Sequence, residues 1–398
     1  MSRRDRGDGG IDQRGPDAWR LRYRVNGKRI SVSFHGTLLD ARKELRRLLK
    51  SGDDGTHVDP SKLTLGQWAE QWIAAGAPGR RQKKVGRRTL ERYAELLRCH
   101  VVPALGTRPL QQIRATEIDT LYTKLDGKIA PRTAHHVHTV FSSCLTTAVR
   151  KGLLLANPLD RAEKVPSPGE SDHGMVLDQE QLRVLLEGFK GSVLFPIVAV
   201  AAFTGARRNE VLALRWSDLD IEKKTLRMER AVDQVHKQPL GLKDPKTARS
   251  TRTIRIDDDL LSLLSAEREK HLRIVAGVPD GGVVDLSLVK LPDGALMFPN
   301  PPGPGEGFSF TKLRNPDNTT KEFVRKARKL GFPGLRFHDL RGTHETLLLD
   351  AGVPVHVVAA RCGHDPAVLL RSYAKRTKKA DTSAAAVIGS LSSGILRR

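Results

Sequence analysis

Phe337 to Val355 reads FHDLRGTHETLLLDAGVPV, and Cys362 to Thr377 reads CGHDPAVLLRSYAKRT. Each places a cation, an imidazole or a phenol at the edge of an apolar segment with helical spacing. Two islands further back share that property: TGARRNEVLALRWSDL at 204–219 and KTARSTRTI at 246–254, the latter opening a strand candidate at Thr253 to Ile256. Taken singly, each has an ordinary structural explanation. Arg207 or Arg208 serves as a salt-bridged helix cap, His338 as a structural imidazole, and Tyr373, on a helix after Asp365-Pro366, as a half-buried core tyrosine.

Upstream the patterning changes character. WRLRYRV at 19–25 alternates apolar residues with arginines, so Arg20, Arg22 and Arg24 share one strand face and Trp19, Leu21, Tyr23 and Val25 the other. Asn26-Gly27 is a two-residue hairpin signal, a return strand runs from Arg29 to Phe34, and a helix over about Thr37 to Leu49 offers Leu38, Ala41, Leu45 and Leu48 as cover. After a polar linker at 52–59, Thr64 caps a helix running to about Ala75. Periodic segments at Thr89 to Val101, Ala115 to Leu125 and Pro131 to Gly152 complete a helical unit, with breaks expected at Pro103, Gly106, Pro109 and Asn157-Pro158. The run RRQKKVGRR (80–88) puts six cations in nine residues, a candidate contact to a DNA backbone. Residues 160–174 read as an interdomain linker, beyond which helices are expected at Asp178 to Phe189 and Val193 to Phe203 and a strand at Thr225 to Ala231.

The chain has 398 residues, 68 Lys and Arg against 45 Asp and Glu, and a net charge of +23. The excess is spread along it, +6 over 1–62, +8 over 63–170 and +9 over the remainder, which excludes a neutral enzyme with one basic tail and favours a polyanionic partner. Cys99, Cys144 and Cys362 match neither a disulfide framework nor a zinc-ligand spacing, so a reducing compartment is expected. The N-terminus lacks an apolar signal core, and the longest apolar run, Val193 to Phe203, is interrupted by Pro196. The expected location is therefore cytoplasmic, on the nucleoid when bound to DNA, with no membrane partner. His135, His136 and His138 are as readily helix-surface groups as metal ligands. With no P-loop and no paired carboxylates for a two-metal site, neither metal nor nucleotide cofactor is implied.

In order and spacing, the four C-terminal islands resemble the tyrosine recombinase and phage integrase family. Its pattern is an Arg inside T-G-x-R-x-x-E, a Lys on a β-hairpin, H-x-L-R, G-H, and a Tyr nine residues after that last His. This chain supplies Thr204-Gly205-Ala206-Arg207 with Glu210, Lys246 ahead of a strand, His338-Asp339-Leu340-Arg341, Gly363-His364, and Tyr373. The resemblance implies a multidomain, mainly α protein with small sheets. Its parts would be an arm-type DNA-binding-like module of β-ribbon plus helix (1–58), a helical core-binding domain (59–160), an α+β catalytic domain (175–386) and a C-terminal tail (387–398).

It also implies a chemistry. A phosphodiester under attack gathers charge on its non-bridging oxygens, and the guanidinium forks of Arg207 and Arg341 suit that task because they stay charged and donate paired hydrogen bonds. By the resemblance, Tyr373 attacks phosphorus to form a 3′-phosphotyrosyl link and expels a 5′-hydroxyl. Lys246 protonates the leaving oxygen, His338 assists proton transfer and His364 hydrogen-bonds the phosphate. The link conserves bond energy, so rejoining needs no ATP. Partners implied are double-stranded DNA attachment sites, a homo-tetramer on DNA in which the segment from Ala380 to Arg398 docks on a neighbour, and a host DNA-bending protein or directionality factor.

Some positions depart from the family pattern. Gly342 stands where relatives often carry His, and Cys362 where an aliphatic residue is common; Arg208 adjoins Arg207, and Lys243 is a rival to Lys246. Glu210 and Asp339 read as carboxylates that orient the arginines. A chromosome-dimer resolvase, a type IB topoisomerase and an inactive DNA-binding regulator are the rival readings.

Overall fold

The computed structural model describes residues 9–25, 27–53, 58–79, 84–169, 174–234, 238–243 and 251–374. Asn26, residues 80–83 of the basic run at 80–88, Lys246 and the tail at 387–398 lie outside them. Internal contacts divide the chain into two units, Met1–Ser171 and Asp172–Arg398.

The first unit begins with an antiparallel sheet of β1 (Gly10–Gly15), β2 (Ala18–Val25) and β3 (Lys28–His35), covered by α1 (Leu38–Asp53). Val25 pairs with Lys28, the register of a two-residue hairpin turn, and Gly27 takes the positive φ (+77°) that such a turn requires. Alternation sends Leu21 and Tyr23 into the core with Ala41, Leu45 and Leu48, and leaves Arg20, Arg22 and Arg24 exposed on the other face. A second core is built by α2 (Leu65–Ala74), α3 (Arg87–Leu96), α4 (Val102–Leu105), α5 (Ala115–Leu125) and α6 (Pro131–Arg150) around Trp68, Trp72, Ile118 and Phe141. Thr64 starts α2 with a reciprocal cap, its hydroxyl accepting from the Gln67 amide while the Gln67 side chain accepts from the Thr64 amide. The break expected at Pro103 does not occur. A π-helical turn at Leu97–Val101 hands directly onto α4, and this local widening lets the chain stay helical through Pro103, which donates no hydrogen bond.

The second unit is organised on α8. Before it, Asp178 caps α7 (Gln179–Phe189); α8 itself (Phe195–Thr204) is buried along almost its whole length and admits Pro196 because it falls in the first turn. Then come the short α9 (Arg208–Val211), a sheet ordered β4 (Leu219–Asp220), β5 (Thr225–Met228) and β8 (Arg252–Arg255), and the hairpin β6 (Ala231–Asp233) with β7 (Gly241–Lys243). The single strand expected over Thr225 to Ala231 is thus two, in different sheets. Helices α10 (Asp258–Ala276), α11 (Pro316–Lys329), α12 (Asp339–Asp350), α13 (Val355–Cys362) and α14 (Pro366–Ala374) follow. The core joins Phe189, Val198, Leu214, Leu264, Phe323 and Leu340. It is a multidomain, mainly helical protein with small sheets.

Candidate active site

Helix α8 ends where Gly205 turns left-handed at φ +63°. A Cβ there would lie 2.7 Å from His344 Cδ2 and 2.8 Å from Cys362 Sγ, so the turn and the close approach of α12 and α13 both require glycine. Two residues later Arg207 stands at the N-terminal cap of α9. Its amide donates to Glu210 Oε2 (3.0 Å), its Nη1 to Glu210 Oε1 (2.7 Å) and its Nη2 to the Gly363 carbonyl (3.3 Å). The neighbouring Arg208 turns elsewhere, donating to Thr320 Oγ1 at 2.5 Å.

Arg341, in the first turn of α12, is only 2% exposed. Its Nη1 donates to the Gly205 carbonyl (2.7 Å) and its Nη2 to the Cys362 carbonyl (2.6 Å), while Nε lies 3.1 Å from both Glu345 Oε1 and His364 Nε2. Of five N–H donors, two remain for a ligand. Burial lowers the Arg341 pKa, with the Arg207 charge acting the same way and Glu345 and Glu210 opposing, but a guanidinium starts so high that it stays charged. His364, placed by the left-handed Gly363 that ends α13, brings Nε2 to 2.9 Å from Glu345 Oε1. That nitrogen serves Glu345 when it carries a proton and Arg341 when it does not.

Glu210 is buried, which by itself raises its pKa. The charge and hydrogen bond of Arg252, then the amide and charge of Arg207, outweigh burial and bring it down. Arg207, Arg341 and His364 thus meet in one cluster held by two carboxylates and by carbonyls at the C-terminal end of α13, where the helix dipole is negative. His338 sits at the start of α12 and is exposed; partial desolvation and the Arg341 charge lower its pKa, favouring the neutral imidazole. The Cys362 thiol, pushed up to about 11 by burial, stays protonated.

Tyr373 is elsewhere. Its hydroxyl donates to Asp350 Oδ1 at 2.9 Å, at the last residue of α12. Nine residues of helix separate Asp350 from Arg341, about 13 Å along the axis at ~1.5 Å per residue. Lys246 lies outside the described residues, and its rival Lys243 pairs with Asp233 at 2.5 Å. One expectation needs correcting: Asp339 does not orient Arg341. It accepts from the Arg336 amide (2.9 Å) and side chain (3.0 Å), because its place in the first turn faces the preceding loop. The carboxylate beside Arg341 is Glu345, unremarked in the sequence although the i, i+4 spacing on one helix was its signal.

The histidines of α6 are engaged separately, His138 Nδ1 with the Tyr122 hydroxyl (2.8 Å) and His135 Nδ1 with the Pro166 carbonyl (2.8 Å). Among the described residues no group of three or more His, Cys, Asp or Glu is placed to hold a metal, and no helix is long and apolar enough to cross a membrane.

Residues 176–380 match the profile of the phage integrase family and residues 65–165 that of the phage integrase central domain. The chain belongs to the phage integrase family. It is 28% identical over 364 residues to a "tyrosine recombinase XerC-like" protein of Caldanaerobacter subterraneus subsp. tengcongensis, covering 85% of this chain and 86% of that one. It is 25% identical over 414 residues to an integrase of Streptomyces ambofaciens, covering 100% and 98%. The Tn1549 transposon integrase, solved in complex with a circular intermediate DNA, shares the fold with a TM-score of 0.62 at 17% identity, over 83% of this chain and 99% of that one. The integrase is a site-specific tyrosine recombinase that cleaves and rejoins DNA strands.

Proposed function

We propose that Arg207 and Arg341 grip the scissile phosphate of a duplex attachment site while Tyr373 attacks phosphorus. The observation that carries this reading is the convergence of Arg207, Arg341 and His364, drawn from three distant stretches of chain, on the end of α13. As the tyrosine oxygen bonds to phosphorus, the bond to the 5′-oxygen breaks, and the 3′ end stays on the protein as a phosphotyrosine. Lys246 protonates the departing oxygen, His338 moves the phenolic proton and His364 hydrogen-bonds a non-bridging oxygen. A phenol of ordinary pKa near 10 needs this cationic setting to lose its proton near neutrality. Fixed donors aimed at developing charge do most of the catalytic work in such a transfer.

The choice of tyrosine has independent support. The chain has four, and the other three serve packing in the first unit: Tyr23 and Tyr122 are buried in its two cores and Tyr93 stacks on Trp72. The biological reaction proposed is integration or excision of a phage or other mobile element. The sheet module at 1–58 would contact arm-type DNA through the Arg20, Arg22 and Arg24 face, and the helices at 59–160 the core site. Exchange between two duplexes requires four strand cleavages, hence four active sites and a tetramer on DNA, with the segment from Ala380 to Arg398 docking on a neighbour; a DNA-bending protein or directionality factor would act on that assembly. The integration reading is favoured over a resolvase or topoisomerase by the N-terminal sheet module. The test is incubation with a nicked duplex carrying the genomic junction beside the encoding gene. The wild type should form an SDS-resistant adduct, and Tyr373→Phe should lose it while still binding DNA; an adduct retained by Tyr373→Phe overturns the assignment.

A further inference from the structure

Three successive carbonyls at the C-terminal end of α13 each accept from a different arginine: Arg361 O from Arg252 Nε (2.7 Å), Cys362 O from Arg341 Nη2 (2.6 Å) and Gly363 O from Arg207 Nη2 (3.3 Å). Two of these arginines belong to the cluster proposed to hold the phosphate. The third, Arg252, opens β8. Its side chain is only 6% exposed, and its Nε and Nη2 are turned to protein acceptors. Its Nη2 donates to Glu210 Oε2 at 2.9 Å, the same oxygen that accepts from the Arg207 amide. Glu210 Oε1 then holds Arg207 Nη1. The side chain of Glu210 is 9% exposed, and without a second cation a carboxylate so buried would face one guanidinium only.

We propose that Arg252 is a positioning residue for the recombination reaction: it locks Glu210 against the end of α13, and Glu210 in turn aims the Arg207 guanidinium at the scissile phosphate. Charge balance makes the pairing intelligible. Three guanidiniums crowd one helix terminus and repel one another; the carbonyl row and the Glu210 carboxylate offset that repulsion and give Arg207 a single orientation. Lysine at 252 would keep the charge but, as a point donor without the planar fork, would not hold both the Arg361 carbonyl and Glu210 in one geometry.

The inference rests on the reading of Arg207 as a phosphate-gripping group, and its test separates the two. Single-turnover cleavage is measured with the full chain on two nicked junction duplexes, one with a native scissile phosphodiester and one with a methylphosphonate there. The methylphosphonate is uncharged and has less need of an aimed guanidinium. Arg252→Gln should slow cleavage of the native linkage on the order of 10- to 100-fold with DNA affinity within about threefold of wild type, and the defect should shrink to about threefold on the methylphosphonate. Arg252→Lys should recover part of the native rate. Native cleavage unchanged in Arg252→Gln, or an equal loss on both linkages, overturns the proposal. If Arg252→Gln does not fold, Arg252→Lys carries the same comparison: a linkage-selective loss supports the proposal, and a wild-type rate or an equal loss overturns it. A wild type that forms no tyrosyl adduct defeats the catalytic reading itself, a result distinct from either Arg252 outcome.

Discussion

At its first turn α12 lays Arg341 into a closed cage of the Gly205 and Cys362 carbonyls, Glu345 and His364, whereas at its last residue, Asp350, it accepts an exposed hydrogen bond from the Tyr373 hydroxyl. The two ends differ in what moving the side chain would cost. Withdrawing Arg341 strands buried carbonyls and a buried carboxylate, a loss of roughly 3–5 kcal/mol for a broken buried pair. Freeing the Tyr373 hydroxyl from Asp350 exchanges that exposed hydrogen bond for one with water, about 1 kcal/mol net. On the proposed assignment, the groups that stabilise charge are built in before substrate arrives, and the proposed nucleophile, Tyr373, sits where binding energy can redirect its hydroxyl. Electrostatic catalysis benefits from that division, since donors that need no reorganisation during the reaction contribute most.

The largest effect that would break this contrast lies at the caged end. Arg341→Lys keeps a charge but forfeits the fork that spans Gly205, Cys362 and Glu345. Cleavage should fall on the order of 10²- to 10³-fold and stability should drop by roughly 3 kcal/mol, read by single-turnover kinetics and urea unfolding. A variant of near wild-type rate would show that the cage is packing alone.

A smaller effect comes from the floor of the same end. His344 donates from Nδ1 to the Ala202 carbonyl (2.9 Å) and accepts at Nε2 from Arg361 (3.2 Å), both uses of the neutral ring. Burial, aided by the Arg361 charge, pushes its pKa from 6.5 down to about 4. Between those values the unfolded chain binds the extra proton and the folded chain does not, so stability rises with pH across that window and is lost on acidification. From pH 7 to 5 the second unit should lose roughly 2 kcal/mol through this group. His344→Asn should flatten the slope of the urea midpoint over that range; an unchanged slope would assign the pH dependence to other groups.

The smallest effect belongs to the exposed end. Asp350→Ala removes the acceptor that holds Tyr373, and adducts should form about two- to fivefold faster, the equivalent of roughly 0.5–1 kcal/mol of restraint released. An unchanged or slower rate would mean that the Asp350 contact does not hold the tyrosine back.

How much of this was legible beforehand follows the range of each interaction. Thr64 and Asp178 were readable as helix starts because a cap is settled within four residues. Arg207, Glu210, Arg341 and His364 were readable because a motif keeps their identities in order along the chain. Arg252 stood in plain view in KTARSTRTI without being singled out, since nothing local marks a strand arginine as the partner of a carboxylate 42 positions earlier. Asp339 misled for the converse reason: adjacency to the arginine motif suggested a contact with Arg341, and helix geometry turned the carboxylate to Arg336 instead. The place of Tyr373 is a matter of how α14 packs on α13, which no spacing in the chain encodes.

The most direct test of the account is to trap the wild-type protein on a nicked junction duplex, digest the SDS-resistant adduct and sequence the peptide that carries the nucleotide. The expected peptide contains Tyr373, joined through its phenolic oxygen to a 3′-phosphate. A link at Tyr23, Tyr93, Tyr122 or a non-tyrosine residue, or no covalent link from an enzyme that still exchanges strands, would contradict it.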